Sequence, residues 1–93
     1  MRYRIRYTDE ARRALRKMPG DYRQRTRRLV KALADDPRPL ETKELRGLPG
    51  RFRIRLNRWR IIYRVDDEDQ MILVLHVRPK RGPETYEDLP SSL

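Results

Sequence analysis

Ninety-three residues carry no cysteine, one histidine, 37% apolar and 41% charged side chains and a net charge of +10, which together describe one small, strongly basic domain. Disulfides, thiolate chemistry and cysteine-ligated zinc are excluded, and a lone histidine with no His/Asp/Glu cluster argues against a protein-built metal site. Such a charge favours nucleic acid, the ribosome, an anionic membrane or an acidic protein as partner. The longest apolar run, Met71 to Leu75, is far too short to span a membrane, and no signal peptide is read at the start, so a reducing cytoplasm is the expected compartment.

The charge is uneven. Residues 1–31 hold 12 basic and 3 acidic residues, residues 50–64 hold six arginines and no acid, and residues 65–77 hold four acids and no lysine or arginine. Met1 to Tyr7 alternates Tyr3, Ile5 and Tyr7 with Arg2, Arg4 and Arg6, the two-residue period of a half-buried strand. Thr8 is placed to cap a helix, with Asp9 and Glu10 near the positive end of its dipole. Ala11, Ala14, Leu15 and Met18 follow at helical spacing, and Pro19-Gly20 breaks the helix. Asp21 opens a second helix. Tyr22, Leu29, Val30 and Leu33 form its buried stripe, Arg23, Arg27 and Lys31 face away, and Asp35-Asp36-Pro37-Arg38-Pro39 ends it.

After a loop over residues 38–49, the chain reads Arg-Phe-Arg-Ile-Arg-Leu-Asn-Arg-Trp-Arg-Ile-Ile-Tyr-Arg over residues 51–64. Apolar and basic residues alternate on either side of Asn57-Arg58, and asparagine tolerates the left-handed backbone of a tight hairpin. The implied register pairs Leu56 with Trp59, Arg55 with Arg60, Ile54 with Ile61, Arg53 with Ile62 and Phe52 with Tyr63. One face then carries Phe52, Ile54, Leu56, Trp59, Ile61 and Tyr63, and the other Arg51, Arg53, Arg55, Arg60 and Arg64. The plain reading of that second face is a solvated surface. However, directly opposed like charges destabilise a sheet, which points to a face that holds a strong anion. Met71 to Val77 is nearly continuous in apolar residues and reads as a strand buried on both faces. Gly82-Pro83 turns the chain, and Glu84 to Leu89 reads as a short C-terminal helix.

The fold class is therefore α+β: β-α-α-β-β-β, with two helices on one face of a small, mainly antiparallel twisted sheet, in a single domain over residues 1–93. The other sheet face stays open and inherits the arginines. Asp66 to Asp69 reads as a solvated turn, and His76 as a satisfied structural histidine. Tyr3, Tyr7, Tyr22, Tyr63 and Trp59 fit apolar stripes. Tyr86 falls outside any such stripe. No serine lies near the histidine and no glycine-rich phosphate loop is present. Arginines can grip phosphate and stabilise its transition-state charge, but they cannot act as bases. A proton acceptor must come from Tyr86, Lys80 or His76.

Lys43-Glu44-Leu45-Arg46-Gly47-Leu48-Pro49, Phe52-Arg53-Ile54-Arg55, Trp59-Arg60-Ile61-Ile62-Tyr63, Val77 and the Lys80-to-Tyr86 tail resemble the RelE/ParE superfamily of type II toxin–antitoxin toxins. The resemblance implies a ribosome-dependent, metal- and cofactor-independent endoribonuclease that cuts mRNA in the ribosomal A site by 2′-OH attack. Its partners would be a cognate antitoxin, in a toxin–antitoxin hetero-oligomer, together with the ribosome and mRNA. Carried over by position, Arg53 and Arg55 match two basic sheet positions that are lysines in the best-known members. Arg60 matches the phosphate-stabilising arginine, Lys80 a basic tail position with Arg81 beside it, and Tyr86 the catalytic tyrosine. Arg46, Arg51 and Arg64 are the expected additional RNA contacts. Arginine for lysine keeps charge stabilisation and removes a proton-sharing group. Two other readings are a ParE-like DNA gyrase inhibitor acting by protein binding, and a noncatalytic basic RNA-binding module.

Overall fold

The computed structural model describes residues 2–79. Strand β1 (Arg4–Tyr7) leads into helices α1 (Asp9–Lys17) and α2 (Gly20–Leu33), and four strands follow: β2 (Lys43–Glu44), β3 (Arg51–Leu56), β4 (Trp59–Asp66) and β5 (Met71–Pro79). The sheet order is β1-β5-β4-β3-β2. Only the β1–β5 pair is parallel. The short β2 adds a strand that the alternation did not announce, because two residues are too few to show a period.

Local chemistry explains the helices. The Thr8 hydroxyl accepts the Ala11 N–H at 3.1 Å, Asp9 and Glu10 occupy the first turn of α1, and Arg16 and Lys17 its last. Both charge placements complement the helix dipole. Arg23, expected to face solvent, instead closes the C-terminal end of α1. Its Nε donates to the Leu15 carbonyl at 3.3 Å, and its Nη2 to those of Met18 at 3.1 Å and Arg16 at 3.4 Å. A helix end leaves carbonyls without N–H partners, and the Pro19 break puts α2 within arginine reach of them.

The core lies between the helices and one sheet face. Ala11, Leu15, Met18, Val30 and Leu33 from the helices meet Phe52, Ile54, Ile61, Tyr63, Val65, Ile72, Val74 and Val77 from the sheet. The α2 stripe also includes Thr26, fully buried with its hydroxyl 3.7 Å from the Met18 sulfur. Phe52 and Tyr63 stack with ring centroids 5.9 Å apart, and the Tyr63 hydroxyl donates to the Pro37 carbonyl at 2.7 Å. Trp59 packs against Tyr22 on the helix side, 6.4 Å between centroids, as an apolar-stripe residue should.

The hairpin forms in the expected register, pair for pair, with Asn57 at φ 55°. β5 departs from expectation. It is not buried on both faces: Ile72, Val74 and Val77 are buried, whereas Met71, Leu73, Leu75 and His76 are half-buried. Helices cover only one side of the sheet, so the other cannot reach full burial. The expected C-terminal helix lies outside the described residues.

Candidate phosphate-binding face

Directly opposed residues share a sheet face, so the registers define the side away from the helices. One row runs Lys43–Arg53–Ile62–His76, a second Arg55–Arg60–Arg78, and a third Arg51–Arg64–Leu73–Arg6. Arg4 joins them opposite Met71. Every strand thus contributes at least one cation to this face. Asp66 is the one acid at a paired strand position on it, and it sits at the far end, accepting the Asp69 N–H at 3.0 Å.

The face is not uniformly wet. Arg4, Arg6, Lys43, Arg55 and Arg64 are exposed, and Arg51, Arg53 and Arg78 are half-buried. Arg60 is 3% exposed, although it was expected on an open surface. Burial lowers the Arg60 pKa from its ordinary value, and the neighbouring Arg55 charge lowers it further. Burial also lowers that of Arg53, followed by the charges of Arg55 and Arg60. Guanidinium pKa values start so high that Arg53 and Arg60 both remain cations near neutral pH. Both causes oppose the charged state, and an anion bound on this face would reduce the repulsion. Forked guanidinium donors match phosphate geometry.

The structure gathers Arg51, Arg53, Arg55, Arg60 and Arg64 on one face. Arg46 lies apart, exposed in the β2–β3 loop. That loop is folded by the Leu45 N–H to the Arg51 carbonyl at 2.8 Å and the Leu48 N–H to the Leu45 carbonyl at 3.2 Å, with Gly47 at φ 76°. Lys80, Arg81 and Tyr86 lie outside the described residues. Lys43, Arg4, Arg6 and Arg78 were absent from the expected site. The alternation in residues 2–7 was a visible signal for two of them. That this strand shares the sheet, with its arginines on the same side, is a tertiary fact.

His76 is satisfied as expected: its Nδ1 lies 2.8 Å from Glu10 Oε2. The same oxygen accepts from Arg78 Nη2 at 3.1 Å. The His76 bond, then the Arg78 bond, holds the Glu10 carboxyl below its ordinary range. Among the described residues no group of three or more His, Asp or Glu side chains could hold a metal ion, and no helix is long and apolar enough to cross a membrane.

A family model for the ParE toxin of the type II toxin–antitoxin system, parDE, matches residues 5–82, which span both helices, nearly all of the sheet and every arginine just described except Arg4. The chain belongs to the RelE/ParE toxin superfamily. It is 27% identical over 90 residues to the mRNA interferase toxin RelE of Escherichia coli K12, covering 95% of this chain and 94% of that protein. The toxin–antitoxin complex RelBE2 from Mycobacterium tuberculosis contains a chain similar to it at 32% identity and a TM-score of 0.75, over 86% of this chain and 100% of that one. An archaeal RelE–RelB complex from Pyrococcus horikoshii matches with a TM-score of 0.80 at 27% identity, over 89% and 100% of the two chains. The two-helix, mixed-sheet architecture is that of this superfamily.

Proposed function

We propose that the chain, as a single toxin domain over residues 1–93, is the toxin of a type II toxin–antitoxin pair and cleaves mRNA on the ribosome. The carrying observation is the row Arg55–Arg60–Arg78, cations set directly opposite one another on one sheet face, with Arg60 itself buried. A surface whose only task is solubility has no reason to bear that repulsion. Curated relatives named mRNA interferase match nearly the whole chain, and structural relatives were solved with their antitoxins. Both support the reading, and the cytoplasm is the compartment that goes with it.

In the proposed reaction the RNA 2′-oxygen bonds to the adjacent phosphorus while the bond from phosphorus to the 5′-oxygen breaks, leaving a 2′,3′-cyclic phosphate. Arg53, Arg55 and Arg60 bind the phosphate and stabilise the charge that grows on its oxygens. Arg51, Arg64 and Arg46 contact the flanking backbone. Arginine cannot take the 2′-OH proton. That role falls to Tyr86, the position that the family resemblance assigns to the catalytic tyrosine, acting as the general base. Lys80, with Arg81 beside it, supports the leaving oxygen. The ribosome supplies the alignment of the RNA.

The test is expression without antitoxin, mapping of mRNA 5′ ends, and a gyrase supercoiling assay in parallel. Expected are new 5′ ends within coding regions and unaffected supercoiling. Tyr86→Phe should lower the single-turnover rate by about 10²–10⁴-fold, the range for a lost general base. Inhibited supercoiling with intact mRNA would replace this reading with the gyrase-directed one.

A further inference from the structure

β5 changes face part-way along. Ile72 and Val74 enter the core, and unbroken alternation would send His76 and Arg78 after them. Instead the register with β4 slips: Tyr63 pairs with Val74 but Ile62 with His76, leaving Leu75 as an extra residue. Beyond the slip the parity reverses. Val77 enters the core, and His76 and Arg78 come to the arginine face. Thr8 secures the bulge, its N–H donating to the Val74 carbonyl at 3.0 Å and its hydroxyl to the Leu75 carbonyl at 2.9 Å. Bulges beside functional sites commonly re-aim a side chain in this way.

The result is a third arginine in line, Arg78 opposite Arg60, which is opposite Arg55. β1 pairs with β5 only as far as Val74, so the edge beyond is left to the first turn of α1. Glu10 fills it, with Oε2 3.1 Å from Arg78 Nη2 and 2.8 Å from His76 Nδ1, and the last two atoms lie 3.4 Å from each other. The carboxylate offsets the added repulsion and fixes the guanidinium. Its contact uses one of five N–H donors, and a forked phosphate contact needs only two more.

We propose that Arg78 is a further RNA-phosphate-binding residue of this face and that Glu10 is its positioning residue. The proposal rests on the ribonuclease reading. Without the bulge Arg78 would point into the core, and without Glu10 it would stand unoriented beside Arg60.

The test uses ribosomes programmed with a defined mRNA, for single-turnover cleavage, and the same mRNA with a 2′-deoxy sugar at the cut, for binding at several salt concentrations. Arg78→Ala should lower cleavage at subsaturating toxin by about 10–100-fold, as for a lost hydrogen bond to a charged group. It should also make the plot of log affinity against log salt shallower by roughly 0.7, one phosphate contact. Arg78→Lys should restore the slope. Glu10→Ala should reduce cleavage with the slope retained, and should cost nothing further in the Arg78→Ala background, the mark of action through Arg78. If the alanine variant melts early, Arg78→Gln, which keeps the stem and removes the charge, replaces it. Unchanged cleavage and slope in Arg78→Ala would overturn the proposal, and full additivity in the double variant would overturn the role of Glu10. Arg60→Ala runs alongside. Should it also leave cleavage intact, the ribonuclease reading falls. Should it alone abolish cleavage, only this inference falls.

Discussion

Arg60→Met separates a functional arginine from a structural one, because the two predict opposite results. Methionine keeps a long unbranched stem in a position that is 3% exposed, so packing volume is largely preserved. It removes a cation that burial and Arg55 both disfavour. Opposed like charges in a sheet cost about 0.2–1 kcal/mol, and that part of the repulsion with Arg55 and Arg78 is relieved. Since about 1 kcal/mol moves the melting temperature of a domain this size by roughly 4–8 °C, the variant should melt within several degrees of the parent. Activity should fall far more. Losing one preorganised contact to the transition-state phosphate costs about 3–4 kcal/mol, or roughly 10²–10³ in rate. The assay is single-turnover cleavage of ribosome-bound mRNA at saturating toxin, with calorimetry on the same preparation. A stable Arg60→Met protein that cleaves at the parental rate would refute the assignment of the site. A melting temperature that falls as far as in a core truncation would show that Arg60 is retained for folding.

Ile61→Ala should destabilise the domain by about 2–5 kcal/mol, because it empties a fully buried position. Leu73→Ala, half-buried opposite Arg64, should cost only about 1 kcal/mol, and denaturant titration of both checks the face assignment of β5. Thr8→Ala loses a helix cap worth about 1 kcal/mol and a hydroxyl bond across the bulge, so the melting temperature should drop by roughly 10 °C. Burial pushes the Tyr63 phenol up to about 12. A folded pKa above the unfolded value of about 10 gives stability that is complete below that pH and lost as pH climbs through about 12. Thermal melts across that alkaline range should decline with this profile, and Tyr63→Phe should flatten the decline while starting from a lower value, having lost the bond to the Pro37 carbonyl.

Much of this protein was legible before folding. Alternation at residues 51–64 specified both strands of the hairpin, their register and the cationic face, since a one-residue slip would have put arginines in the core. The Thr8 cap, the Pro19-Gly20 break and the helix stripes are local signals carried by local chemistry, and they formed where expected. The motif residues were sufficient to suggest the superfamily. What the sequence could not show depends on contacts between distant segments. The bulge at Leu75 is held by Thr8, 67 residues away, and nothing within Met71–Pro79 marks where alternation reverses. Arg78 therefore joins the site for a reason written at the cap of α1. Arg23 and Glu10 looked like surface charges because their partners, the end of α1 and the rim of β5, are assembled only by packing. Burial of Arg60 belongs to the same class. Period fixes which face a side chain takes, and only the assembled fold decides how much water that face retains.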